Sequence, residues 1–229
     1  MFNRKEAFSL ILAALVMGYI IAFKSLGWIA WLSMAGLALI ILFVHHLGQK
    51  FTALFYDCST EARLWTVRQF YLAKSSHFKF DFPMWVILPV FAVIFTFGKI
   101  TWLALTTFEA CPLPARVRRT YAELTEFDLA MIALGGLFFN AVLALISQAL
   151  GYNDFAMLNL YFVLFNLIPI STLDGGKIFF GSVMLWVFSI VFGVVLLLLL
   201  GTVSMIGTVA AALILAIAAV VMYYVSMKT

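Results

Sequence analysis

The stretch that decides the fold is Ile178–Met227, IFFGSVMLWVFSIVFGVVLLLLLGTVSMIGTVAAALILAIAAVVMYYVSM, fifty residues without an Asp, Glu, Lys, Arg or His. A hydrocarbon core about 30 Å thick is crossed by about 20 apolar residues of helix. Fifty are too many for one crossing and enough for two. Gly201 is the expected turn, so the stretch predicts two C-terminal helices over 178–227.

The pattern continues toward the N-terminus. Between Leu129 and Lys177 the only charged residues are Asp154, Asp174 and Lys177, which leave apolar runs Leu129–Asn153 and Phe155–Leu173. Near the start, Ala7–Phe23 ends at Lys24, and Leu26–Val44 ends at the pair His45-His46. Arg4 and Lys5 ahead of the first run are the flank of a signal peptide, but no small-residue cleavage site follows, so a helix is expected there.

The whole chain agrees. Hydrophobic types make up 66% of its 229 residues and charged types 10%, against about 45–50% and about 25% in soluble domains. A soluble globular enzyme, a disordered chain and a fibre are thereby excluded. The net charge of +4 raises nucleic acid as a partner. Sparse basic residues between apolar runs are better explained by membrane topology, so the expected partner is the lipid bilayer and no nucleic acid. Cys58 and Cys111 have no metal-ligand spacing around them and are expected as free thiols.

The middle, residues 48–128, holds most of the charge and one apolar block, Phe82–Phe108, interrupted by Pro83, Pro89, Gly98 and Lys99. Its Val, Ile, Phe and Trp favour strands. If the block crossed the membrane, the basic residues would divide almost evenly between the two sides. If it enters and returns, thirteen of the 14 basic residues share one face and only Lys24 lies opposite. The positive-inside rule selects the second arrangement. The expected fold is therefore an all-α polytopic membrane protein in one domain. It has about six transmembrane helices, both termini cytoplasmic in the cell membrane, and a re-entrant or β-hairpin insertion at 82–108. Such backbone survives only where protein or a cavity satisfies it.

Two segments carry chemistry. The first is His45-His46-Leu47-Gly48-Gln49-Lys50-Phe51, ending the second apolar run. The second is Asn166-Leu167-Ile168-Pro169-Ile170-Ser171-Thr172-Leu173-Asp174-Gly175-Gly176-Lys177. Under the returning topology both lie on one membrane side. In the second, Pro169 removes a helical hydrogen bond and Gly175-Gly176 permits an unwound turn. An aspartate near the membrane needs a cation or a partner; otherwise Asp174 is a solvated loop residue.

The second segment resembles the Asn-x-x-Pro-x-x-x-Leu-Asp-Gly-Gly signature of the site-2 protease family, intramembrane zinc metalloproteases. The resemblance implies a protease-like core over 26–177 with Asp174 as a zinc ligand. It places His45-His46-Leu47-Gly48-Gln49 where the family carries His-Glu-x-x-His, and Gly136-Leu137-Phe138-Phe139-Asn140 where it carries Gly-Pro-x-x-Asn. Residues 50–65 are similar to the archaeal branch. Asn140, Asn166 and Pro169 then belong to a substrate groove, with the two asparagines helping to hold a substrate strand. Interhelical hydrogen bonding is the alternative for them.

The departures bear on mechanism. Positions i and i+4 share a helix face, so two histidines there can grip one zinc while the glutamate activates its water. Here only His45 stands in register. His46 occupies the glutamate position and Gln49 that of the second histidine. A neutral amide is a poor zinc ligand. His46 points about 100° away from His45 on a helix, so both cannot face one ion. The lost base is worth roughly 10²–10⁴-fold. The metal positions His45 and Asp174 are read as vestigial and no cofactor is expected. The histidine pair either caps a helix end or keeps a residual role. Of the other polar groups, His77 is expected solvated, the aromatic stretch Trp65–Phe82 as an interface belt, and Arg116–Arg119 as an anchor at anionic headgroups.

Three functions stay open. The first is a site-2-protease-like pseudoenzyme that binds another membrane segment as a structural or regulatory subunit. The second is an active zinc endopeptidase with atypical ligands. The third is a transporter or channel, against which stand the lack of an internal repeat and of ionisable residues in the last two helices.

Overall fold

The computed structural model describes residues 2–25, 27–69, 77–114, 123–170 and 172–228. These residues form eight helices: α1 Arg4–Ala22, α2 Trp28–Phe55, α3 Met84–Phe95, α4 Glu126–Ala149, α5 Asn153–Asn166, α6 Asp174–Gly181, α7 Val183–Leu199 and α8 Met205–Ser226. Four short strands join them: β1 Cys58–Leu64, β2 Val67–Gln69, β3 His77–Phe82 and β4 Thr106–Pro112. β1 pairs with β4, and β2 runs antiparallel to β3. The protein is mostly helical. Among the described residues, α1, α2, α4 and α8 are long and apolar enough to cross a membrane.

Six such helices were expected, and two apolar runs are divided differently. Phe155–Leu173 is not one helix. α5 stops at Asn166, about 21 Å long at 1.5 Å per residue. Pro169 lacks an N–H and disfavours helix in the residue before it. Likewise Ile178–Gly181 belongs to α6, which leaves α7 with 17 residues. The turn between α7 and α8 lies at Gly201, where φ is +85°.

The chain divides into two compact units: Met1–Phe43 with Glu61–Glu109, and Val44–Thr60 with Ala110–Thr229. In the first, Asn3 and Glu6 form a capping box at the start of α1. The buried Glu6 carboxylate accepts from Asn3 N at 2.6 Å and from Ala62 N in β1 at 2.9 Å. One side chain thus satisfies a helix-terminal donor and a strand donor 56 residues away.

The block Phe82–Phe108 departs from the strand expectation. Its centre is the helix α3, and only its ends are extended. Packing of α3 against α1 overrides a strand propensity that depends strongly on context. At about 18 Å, α3 is too short to cross the core. Phe97 and Gly98 follow it with positive φ and turn the chain. Trp85 N donates to Trp65 O, and Trp65 N donates to Leu105 O, both at 2.9 Å. The block therefore leaves and returns at one residue. Trp65, expected in an interface belt, is instead 1% exposed and stacked on Trp102 at 6.0 Å. Residues 70–76 of that belt, the Arg116–Arg119 cluster and Ser171 lie outside the described residues. Cys58 is buried, its thiol donating to Tyr56 O at 3.0 Å, and Cys111 is exposed.

Candidate functional site

α2 does not end at His45-His46. It continues ten residues to Phe55, because nothing in 44–55 breaks a helix. The pair therefore caps no helix end. It sits inside α2, with His45 and His46 1% and 2% exposed and Gln49 fully buried.

Two local features bring the rest of the site to this turn. Gly136 of α4 faces it. A Cβ on that residue would lie 2.8 Å from both Gln49 Cγ and His45 Cε1, so only a glycine allows α4 this close. The break after α5 supplies the other. Its Leu167 carbonyl is an orphan of the helix end and accepts from Trp186 Nε1 at 2.8 Å. Gly175 packs directly on Leu167, where any side chain would collide with backbone. Asp174, the first residue of α6, is thereby fixed with no exposed surface.

The result is a compact polar cluster. His45 Nε2 and Asp174 Oδ2 lie 2.7 Å apart, Gln49 Nε2 donates to Asp174 Oδ2 at 2.9 Å, and Gln49 Nε2 stands 3.0 Å from His45 Nε2. His46 Nδ1 lies 2.7 Å from Gln49 Oε1, and its ring stands edge-on to that of His45 with centroids 5.2 Å apart. Asp174 is not a solvated loop residue. The Phe162 ring stands edge-on to His45, centroids 5.1 Å apart.

The groove candidates are placed differently. Asn140 and Asn166 are fully buried. Each lies four residues from a group packed on His45, Gly136 and Phe162 respectively, and residues at that spacing share a helix face. Asn166 Nδ2 donates to Phe162 O of its own helix at 2.9 Å. Among the described residues, Asn166 Oδ1 and both polar atoms of Asn140 have no hydrogen-bond partner. Among the described residues neither side chain makes an interhelical hydrogen bond. Pro169 is exposed in the break between α5 and α6, outside the cluster. Asn159, whose Oδ1 is also buried without a partner among the described residues, was not singled out by sequence. Its only signal is a polar residue in an apolar run. Phe162 and Trp186 carry no signal at all.

Zinc does not fit this donor set. A site needs about three protein donors. Here the third position, Gln49, is a neutral amide, a poor zinc ligand. A zinc-bound imidazole also donates its other N–H to an acceptor. His45 Nδ1 has none among the described residues. What the cluster does chemically is pair two helices through one buried carboxylate. No family model, no curated protein and no solved structure matches the chain.

Proposed function

We propose that this chain is a site-2-protease-like membrane protein that has lost hydrolysis. It binds another membrane segment as a structural or regulatory subunit of a membrane assembly. The observation that most supports this reading is the meeting of His45, Gln49 and Asp174 at one buried point. Those are the three positions at which the resemblance puts zinc ligands, and one of them is an amide. The fold has a reason to be kept without the ion: Asn140 and Asn166 hold buried amide atoms that are unpaired among the described residues. Unpaired buried amides suit the backbone of an incoming extended segment.

In this reading six segments cross the cell membrane, with α7 and the interrupted α5–α6 joining the four long helices. Broken helices are tolerated at membrane depth where protein surrounds them. The 82–108 block returns to its own side, and both termini are cytoplasmic.

The test has two arms. Purification of the tagged chain in gentle detergent measures stoichiometric association with co-purifying membrane proteins, which Asn140→Leu should weaken. Incubation in proteoliposomes with a transmembrane reporter should give no cleavage. Cleavage that a chelator blocks would establish the alternative, an active zinc endopeptidase.

A further inference from the structure

The loss of a zinc site leaves a question of chemistry. A carboxylate with no exposed surface is costly unless it is hydrogen-bonded, and here no third metal donor is available. Its neighbours answer it at Oδ2, while Oδ1 has no partner among the described residues. An ionised carboxylate only accepts, so at 2.7 Å the His45 Nε2 must carry the proton. Gln49 Nε2–H donates to the same Oδ2 at 2.9 Å. Two N–H groups therefore converge on one oxygen, which explains the 3.0 Å approach between their nitrogens.

That arrangement requires the Gln49 amide to be held one way round. Turned by 180°, its carbonyl oxygen would face the carboxylate and repel it. The group that fixes the orientation is His46. Its Nδ1 lies 2.7 Å from Gln49 Oε1. A carbonyl oxygen has no proton to give, so Nδ1 carries it. Hydrogen bonds thus run His46 Nδ1–H to Gln49 Oε1, then Gln49 Nε2–H to Asp174 Oδ2, with His45 Nε2–H completing the pair.

We propose that this relay replaces a metal ion as the cross-link between α2 and the start of α6, with Gln49 as the bridging group and His46 as its positioning residue. The inference rests on the non-catalytic reading above and adds what stands in the ion's place. The two adjacent histidines have opposite assignments, His45 protonated at Nε2 and His46 at Nδ1.

Ring-nitrogen NMR tests it directly. The chain holds three histidines, so His77→Gln leaves only this pair. With ¹⁵N-labelled histidine in lipid bilayers, one ring should show a pyrrole-type Nδ1 and the other a pyrrole-type Nε2. Gln49→Leu should remove the hydrogen-bond shift of the Nδ1–H ring and leave the Nε2–H ring bonded to Asp174. Matching tautomers, or a Gln49→Leu spectrum unchanged at His46, would overturn the relay while leaving the non-catalytic reading intact. Ring nitrogens shifted by a bound metal would instead sink that reading. Because the Gln49→Leu variant is isolable only if it folds, the tautomers of the Gln49-containing protein carry the test alone if it does not.

Discussion

The second compact unit contains two kinds of buried polar group, and they differ in one respect. In the His45–Gln49–Asp174 cluster, donors on two side chains converge on Asp174 Oδ2, while His45 Nδ1 and Asp174 Oδ1 have no partner among the described residues. The Asn140–Asn166 pair, one helical turn away along α4 and α5, leaves three amide atoms unpaired among the described residues. The shared Oδ2 ties α2 to the start of α6. The asparagine pair makes only the Asn166 Nδ2 bond within α5 among the described residues, and buried amides left unpaired cost stability unless something else binds them.

The largest effect should come from giving the cluster a third metal donor. Gln49→His puts an imidazole at the third position, giving His45, a new histidine and Asp174 on converging elements. It should raise bound zinc from none to about one per chain, measured by elemental analysis after purification in chelator-treated buffer. A Gln49→His chain that stays metal-free would show that the three positions do not converge as described.

Next in size is removal of the acceptor. Asp174→Ala strands the His45 and Gln49 donors in a buried site and should cost about 3–5 kcal/mol, the range for breaking a buried pair from one side. Chemical unfolding in detergent measures it, and a loss under about 1 kcal/mol would mean the cluster holds little together. Gly136→Val pushes α4 off His45 and Gln49 and should cost about 1–3 kcal/mol, the usual penalty of overpacking. The smallest effect belongs to the asparagine pair. Asn140→Leu removes two polar atoms that have no partner to lose, so stability should change by less than about 1 kcal/mol or rise. Association with a membrane partner should fall in the same variant. A large destabilisation there would show that Asn140 is already engaged and would erase the contrast.

How much of this was legible in the sequence follows from what each feature depends on. Charge-free length announces a membrane helix, and α1, α2, α4 and α8 were visible in that way. Helix ends were read from charge and punctuation, and there the reading failed. His45-His46 looked like a terminus because histidine is polar. In the structure it is buried mid-helix, since Asp174 arrives from 129 residues away to receive it. The 82–108 block looked like strands from composition, but α3 forms where α1 supplies a packing surface. The distribution of basic residues bears on the side on which the ends of the block lie, not on its conformation.

The site was legible as positions and not as chemistry. The resemblance to the site-2 protease signatures implied His45, Gln49 and Asp174 as positions that belong together. The direction of each hydrogen bond depends on which way an amide turns and which ring nitrogen holds a proton. Neither is written in residue identity. Glu6 was missed for a related reason. Its carboxylate matters through Ala62 N, a backbone group that any residue at position 62 except proline would offer.

The central claim is that the buried centre joining α2 to α6 works without a metal. Zinc content of the unmodified protein, purified from cells grown in zinc-supplemented medium without chelator, tests it most directly. The account predicts far less than one equivalent per chain, unchanged by His45→Ala. One zinc per chain, lost in His45→Ala, would contradict it.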